Sequence, residues 1–268
     1  MTCSIFLSTY LWNYISFIYS DPGIIGIYSK NNHDAKNDIF RYFLFVGLPV
    51  LVYFFLKYFL NSLEKQSYKK FKLVIFNNGL HNANYFLKNT SLDYKIIDIS
   101  EKPIIARAKL ITYLKDNKFE KVIFSDADDM LFRDRCEKSF LKLNNIDIVI
   151  NDFDIIDEKG NILINNYLSR RLKDKLNVTE DSIKSFNFMG LTNTAAKIAI
   201  FKHNYIPSNV SIKAYDWYLW KKLLIEKNKA TFFSSIKTFY RLHDNNISSL
   251  TSKVNEKEVI EGIEEKIA

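Results

Sequence analysis

Val122-Ile123-Phe124-Ser125-Asp126-Ala127-Asp128-Asp129 is the stretch whose reading decides the fold. Val122 to Phe124, β-branched and aromatic, reads as a buried strand. Three carboxylates follow at its C-terminal end, where open α/β sheets place their ligand crevice. Carboxylates crowded this closely repel one another and favour a hard cation with oxygen ligands, Mg²⁺ or Mn²⁺. Such a cation would in turn hold a diphosphate. The plain alternative is a solvated acidic turn capping a helix that starts near Met130.

Working back toward the N-terminus, residues 104–115 have helical spacing, with Ile105, Ala108, Leu110 and Ile111 available for one face. A strand over 94–97 ends at Asp98-Ile99-Ser100, and a strand over 73–76 ends at the turn Asn77-Asn78-Gly79. This β-α-β-α-β order implies a parallel sheet with right-handed crossovers. Toward the C-terminus, 147–151 reads as a strand and 154–163 as a hairpin turned at Lys159-Gly160. The spacing predicts a helix over 195–203 capped by Thr192 or Asn193, a helix over 215–227, and a strand over 238–242. The expected fold is α/β, a Rossmann-like, mostly parallel mixed sheet flanked by helices.

The N-terminal part differs in character. Residues 1–20 are apolar and uncharged and lack the basic start and cleavage site of a signal peptide. Residues 42–60, YFLFVGLPVLVYFFLKYFL, approach the ~20 residues a bilayer crossing needs, and Lys57 is placed to snorkel. Pro49 and the apolarity of the run on all sides argue against a globular helix. The expectation is therefore a membrane-associated segment over 1–60 with a transmembrane helix over 42–60. Residues 1–20 fit either a second crossing or an interfacial helix. A basic linker over 61–71 (Lys65, Lys69, Lys70) would set the rest on the cytoplasmic face of the cell membrane. A soluble domain over 72–250 and a charged tail over 251–268 complete this division.

Composition narrows the function classes. The net charge of +8 suits an anionic ligand or an anionic membrane surface. No Lys/Arg block interleaved with aromatics stands out, so nucleic acid is not an expected partner. Two cysteines and four scattered histidines make neither a disulfide framework nor a zinc site. No GxxxxGK[ST] or GxGxxG is present, and with 7 glycines a glycine-built phosphate loop is not expected.

Several segments taken together resemble the family 2 glycosyltransferases of the GT-A fold. They are Asp98-Ile99-Ser100, Ala106-Arg107-Ala108, the acidic cluster at 125–129, and the hairpin Asp152-Phe153-Asp154-Ile155-Ile156-Asp157-Glu158-Lys159-Gly160. Met189-Gly190-Leu191-Thr192-Asn193 follows, then Tyr215-Asp216-Trp217 with Tyr in place of the usual first acid, then Tyr240-Arg241-Leu242-His243-Asp244-Asn245-Asn246-Ile247-Ser248. The resemblance covers about 72–250. The departure is the first strand, where the family's Pro-x-Tyr-Asn meets Phe76-Asn77-Asn78-Gly79.

The resemblance implies inverting transfer of a sugar from a nucleotide-diphosphate sugar to a hydroxyl on a glycan or lipid-linked acceptor, in cell-surface polysaccharide or glycolipid synthesis. It implies a divalent cation, Mn²⁺ or Mg²⁺, held by Asp126, Asp128 and Asp129 with His243, and Asp216 as the base. Asp98 would face the base or ribose, His243 the metal or the diphosphate, and Arg241 a phosphate or the Asp216 carboxylate, with Arg107 and Asp126 as further cofactor-binding candidates. A different reading is a membrane-tethered, non-catalytic scaffold on a decayed GT-A domain. A nucleotidyltransferase, which also pairs acids with Mg²⁺, is less well supported because no glycine-rich loop precedes the acids. A live enzyme must bring Asp128, Asp216 and His243 into one pocket.

Overall fold

The computed structural model describes residues 3–8, 48–77, 83–203, 205–206 and 215–242. Its ten described strands form one sheet. In chain order the elements are β1 (Cys3–Ser8), α1 (Leu48–Glu64), β2 (Phe71–Asn77), α2 (Ala83–Leu87), β3 (Tyr94–Asp98), α3 (Pro103–Asp116), β4 (Lys121–Asp126), β5 (Met130–Leu131) and α4 (Arg135–Lys142). There follow β6 (Ile148–Ile156), β7 (Ile162–Ile164), β8 (Asn177–Val178), β9 (Thr194–Lys197), α5 (Tyr215–Ile225) and β10 (Ala230–Arg241).

The sheet order is β3-β2-β1-β4-β9-β6-β10-β5, with β7 on β6 and β8 on β10. The run β3-β2-β1-β4 is parallel throughout. β9 runs antiparallel to both β4 and β6, and β10 is parallel to β6. The expected mixed sheet is observed, with a parallel run β3-β2-β1-β4 and antiparallel pairings around β9, β7, β8 and β5.

Alternation along the strands builds two cores. Val74, Phe76, Val122, Phe124, Ile148 and Ile150 point to the face covered by α3 and α5, where Leu110, Leu114, Leu219 and Trp220 are buried. Leu73, Ile75, Ile123 and Val149 point to the other face, against Leu56, Phe59, Leu60 and Leu63 of α1.

That second core corrects the membrane reading of 42–60 in its described part. α1 continues to Glu64 and presents Phe55, Leu56, Phe59, Leu60 and Leu63 to the sheet, while Lys57, Tyr58 and Asn61 face out. From Phe55 onward the helix is amphipathic, and the apolar side chains of its buried face pack within the protein. Pro49 lies in its first turn, where the missing N–H has no intrahelical acceptor to lose. Among the described residues no helix is long and apolar enough to cross a membrane. Residues 42–47 and 9–20 lie outside the described residues.

Two further differences have local causes. The first strand of the sheet is Cys3–Ser8, which pairs with β2 on one side and β4 on the other, in the position assigned from sequence to 73–76. The helix expected over 195–203 is instead β9 followed by a 3₁₀ turn at Ile198–Ile200. Ala195 and Ala196 are fully enclosed between β4 and β6, and that slot between two strands admits a strand whatever the local helix propensity. The hairpin β6–β7 turns where expected, with Gly160 at φ +91°, a conformation that glycine adopts without a steric penalty.

Candidate active site

β4 delivers the acidic cluster. Val122 and Phe124 face α3 and α5, and by the same alternation so does Asp126. α5 begins on that side with Tyr215 and Asp216. Tyr215 is buried in the core, and burial pushes its phenol well up, so the group offered outward is the Asp216 carboxylate, 26% exposed. Arg107, on α3, joins the two: its Nη1 lies 3.2 Å from Asp216 Oδ1, and its charge acts on Asp126. Asp216 also acts electrostatically on Asp126. The end of β4 and the start of α5, ninety residues apart in sequence, thus share one site.

The electrostatics of the cluster are those of excess negative charge. Burial, then the neighbouring Asp128, raise Asp126 from 3.8 to about 7, against the pull of Arg107. Burial, Asp128 and Asp126 together hold Asp129 well above the ordinary carboxylate range. Asp129 is turned inward and engaged: its Oδ1 accepts the Arg241 N–H at 2.8 Å and its Oδ2 accepts the Thr192 hydroxyl.

The segment 189–193 touches both halves of the site. Thr192 holds Asp129, while a side chain at Gly190 would come within 3.9 Å of Asp216 Oδ2. Asn193 fixes this segment, accepting the Gly190 N–H and donating to the Phe188 and Asn151 carbonyls.

Arg241 ends β10 fully buried. Its Nε donates to the Asp128 carbonyl at 2.8 Å, and its Nη1 to the carbonyls of Asp157 and Glu158. The guanidinium ties the acidic turn to the β6–β7 hairpin. Asp152 and Asp154 are likewise structural. Asp152 accepts the Leu168 and Ser169 N–H groups, and Asp154 pairs with Lys237 at 3.0 Å. Asp98 stands at the end of β3, exposed, and accepts from Asn77 Nδ2 at 2.6 Å. His243 lies outside the described residues, so its expected approach to the cluster has no description.

Three residues of this neighbourhood escaped the sequence reading: Thr192 as a partner of Asp129, Asn193 as more than a cap, and Arg135. Arg135 carries the one readable signal, a cation in the first turn of α4, where the helix dipole favours an acid.

Among the described residues no three His, Cys, Asp or Glu side chains converge as a closed cation cage. Asp126 and Asp128 nevertheless fit a hard divalent cation. A desolvated carboxylate raised to about 7 beside a second one has its charge unmet, and Mg²⁺ or Mn²⁺ needs only one or two protein carboxylates, the rest being water and phosphate.

No protein-family model and no curated protein matches the sequence. Solved structures do match its fold. The chain is similar to S. aureus TarS 1–349 in complex with UDP-GlcNAc, with a TM-score of 0.59, 14% identity, and coverage of 98% of this chain and 64% of that one. It is similar to the same TarS fragment with UDP (TM-score 0.56, 15% identity, 90% and 61% covered) and to the longer TarS (0.56, 15%, 99% and 42%). The chain therefore spans under two thirds of each of these proteins. Its fold is that of TarS.

Proposed function

We propose that the chain is a glycosyltransferase of the family 2 type, moving a sugar from a nucleotide-diphosphate sugar to a hydroxyl acceptor with inversion. The observation that carries this reading is the meeting of Asp216 with the Asp126 turn through Arg107. A base and a diphosphate site must lie on opposite sides of one reacting carbon, and the nearness of these two elements supports that reading.

In this reading the acceptor O–H gives its proton to the Asp216 carboxylate as its oxygen attacks the anomeric carbon. The bond from that carbon to the β-phosphate oxygen breaks on the opposite face, and the nucleoside diphosphate leaves with the electron pair. A divalent cation bound by Asp126 and Asp128 would neutralise the charge that grows on the leaving diphosphate. Asp129 anchors the turn from within rather than reaching the cation. Arg107 holds Asp216 in place. Asp98, exposed at the end of β3 on the same edge of the sheet, would contact the nucleoside in this reading.

The experiment is a donor panel. Purified full-length chain with Mn²⁺ and nucleotide sugars, UDP-GlcNAc first because TarS was solved with it, should release nucleoside diphosphate with at least one donor. Failure of every donor to bind, measured by calorimetry with and without Mn²⁺, would refute the reading.

A further inference from the structure

We infer that Phe55 and Tyr58 of α1 are positioning residues of the acidic turn: their rings clasp the Arg241 guanidinium, hold it on the Asp128 carbonyl, and so set the affinity of the turn for a cation-bound diphosphate. The consequence for affinity rests on the reading of Asp126 and Asp128 as the cation site.

Arg241 is 0% exposed. Two of its in-plane donors go to backbone: Nε to the Asp128 carbonyl at 2.8 Å, and Nη1 to the Asp157 and Glu158 carbonyls at 2.9 and 2.8 Å. These bonds leave the flat faces of the guanidinium to be covered by something other than hydrogen-bond acceptors. The rings of α1 lie against it, with the Phe55 centroid 4.8 Å and the Tyr58 centroid 5.7 Å from Cζ. The two residues stand three apart on α1, the spacing that puts side chains side by side on a helix. An aromatic ring attracts a guanidinium through its face and shields it from water. Tyr58 is 43% exposed, so filling the core accounts for little of its position.

The same helix and the residues just after it grip the far side of the turn directly. Ser62 Oγ accepts the Leu131 N–H at 3.1 Å. The buried Gln66 side chain donates to the Phe132 carbonyl at 2.8 Å and accepts the Cys136 N–H at 3.0 Å. The Ser67 N–H donates to the Arg133 carbonyl at 2.8 Å. The chain leaving the acidic turn is therefore bonded to the α1 region, and the turn itself is reached from α1 through Arg241. A bound cation and diphosphate need the carboxylates of the turn in one fixed place, and an arginine loosened from the Asp128 carbonyl would release them.

The test is amide hydrogen exchange of the full-length chain in EDTA, with wild type, Y58L and Y58F. If the ring clasps Arg241, Y58L speeds exchange about two- to fivefold, the scale of one half-exposed cation–π contact, in the two stretches that Arg241 joins, 126–130 and 156–161. Y58F, which keeps the ring, should match wild type. The Leu131 and Cys136 amides, held by Ser62 and Gln66, should not change. Unchanged exchange in the two joined stretches overturns the inference, as does a rise spread along α1 and at Leu131 and Cys136, which is what loss of helix packing alone produces. Calorimetry with UDP and Mn²⁺ gives the second readout: Y58L should bind about two- to fivefold more weakly than wild type and Y58F equally well, and equal affinity in Y58L overturns the inference. Failure of wild type to bind UDP with Mn²⁺ would count against the cation and diphosphate reading, and the exchange pattern then decides on the clasp by itself.

Discussion

Replacing Asp126 by Asn should make the metal-free protein more stable at pH 8 while ending cation binding. The magnitude follows from the site. Asp126 is raised from 3.8 to about 7, chiefly by burial and then by Asp128. Each tenfold change in a proton equilibrium is worth about 1.4 kcal/mol, so ionising this carboxylate in the folded state costs at most about 4 kcal/mol. Partial solvent contact of the side chain and relaxation of the turn reduce that to about 2 kcal/mol, or about 4–8 °C in melting temperature for a chain of this size.

The sign is set by which state holds the proton. Below 3.8 both folded and unfolded chains carry it, and Asp and Asn should be nearly equivalent. Between 3.8 and about 7 the unfolded chain ionises first, so wild type loses stability as pH rises, and the loss is complete above about 7. The advantage of Asp126→Asn should therefore be absent near pH 4 and full at pH 8. The assay is a set of melting curves from pH 4 to 8.5 in EDTA, repeated with Mn²⁺. Mn²⁺ should raise wild type and leave the variant unmoved. A folded Asp126→Asn that melts at or below wild type at pH 8 in EDTA would refute the account of the cluster as uncompensated negative charge.

Other perturbations read other parts of the site. Asp216→Asn should lower turnover by about 10²–10⁴-fold with nucleotide affinity unchanged within a few-fold; equal turnover would remove Asp216 from the mechanism. Thr192→Val removes the hydroxyl that Asp129 accepts, and melting should report a loss of about 1–3 kcal/mol. Leu63→Ala, in the helix face packed on the sheet, should cost about 2–5 kcal/mol in chemical denaturation; no effect would mean that α1 is not docked as described.

Where a segment's own pattern decided its structure, the sequence reading carried through. Val122–Phe124 is a strand because three apolar, sheet-favouring residues in a row have no better state. The β6–β7 turn follows from Lys159-Gly160, since a glycine there accepts positive φ. The placement of Asp126 at a strand end and of Asp216 at a helix start was readable, because both follow from local pattern. The reading failed where long-range contact overrides local preference. Residues 195–197 have the composition of a helix and become a strand because β4 and β6 leave a strand-shaped slot. Residues 55–60 belong to a run with the apolarity of a membrane segment and pack as a helix because β2, β4 and β6 offer an apolar face. The first strand lay at 3–8, separated from its partners by more than sixty residues, a distance over which periodicity carries no information.

The sequence by itself determined the parallel α/β pattern and which carboxylates stand at element ends, since these depend on alternation, turn chemistry and helix starts within a few residues. The tertiary structure alone decided which of those charges meet. Arg107 finds Asp216 across 109 positions, Thr192 finds Asp129 across 63, and Arg241 reaches the backbone of the acidic turn. Electrostatic partnership depends on distance and burial, and both are set only when the whole sheet has closed around the end of β4.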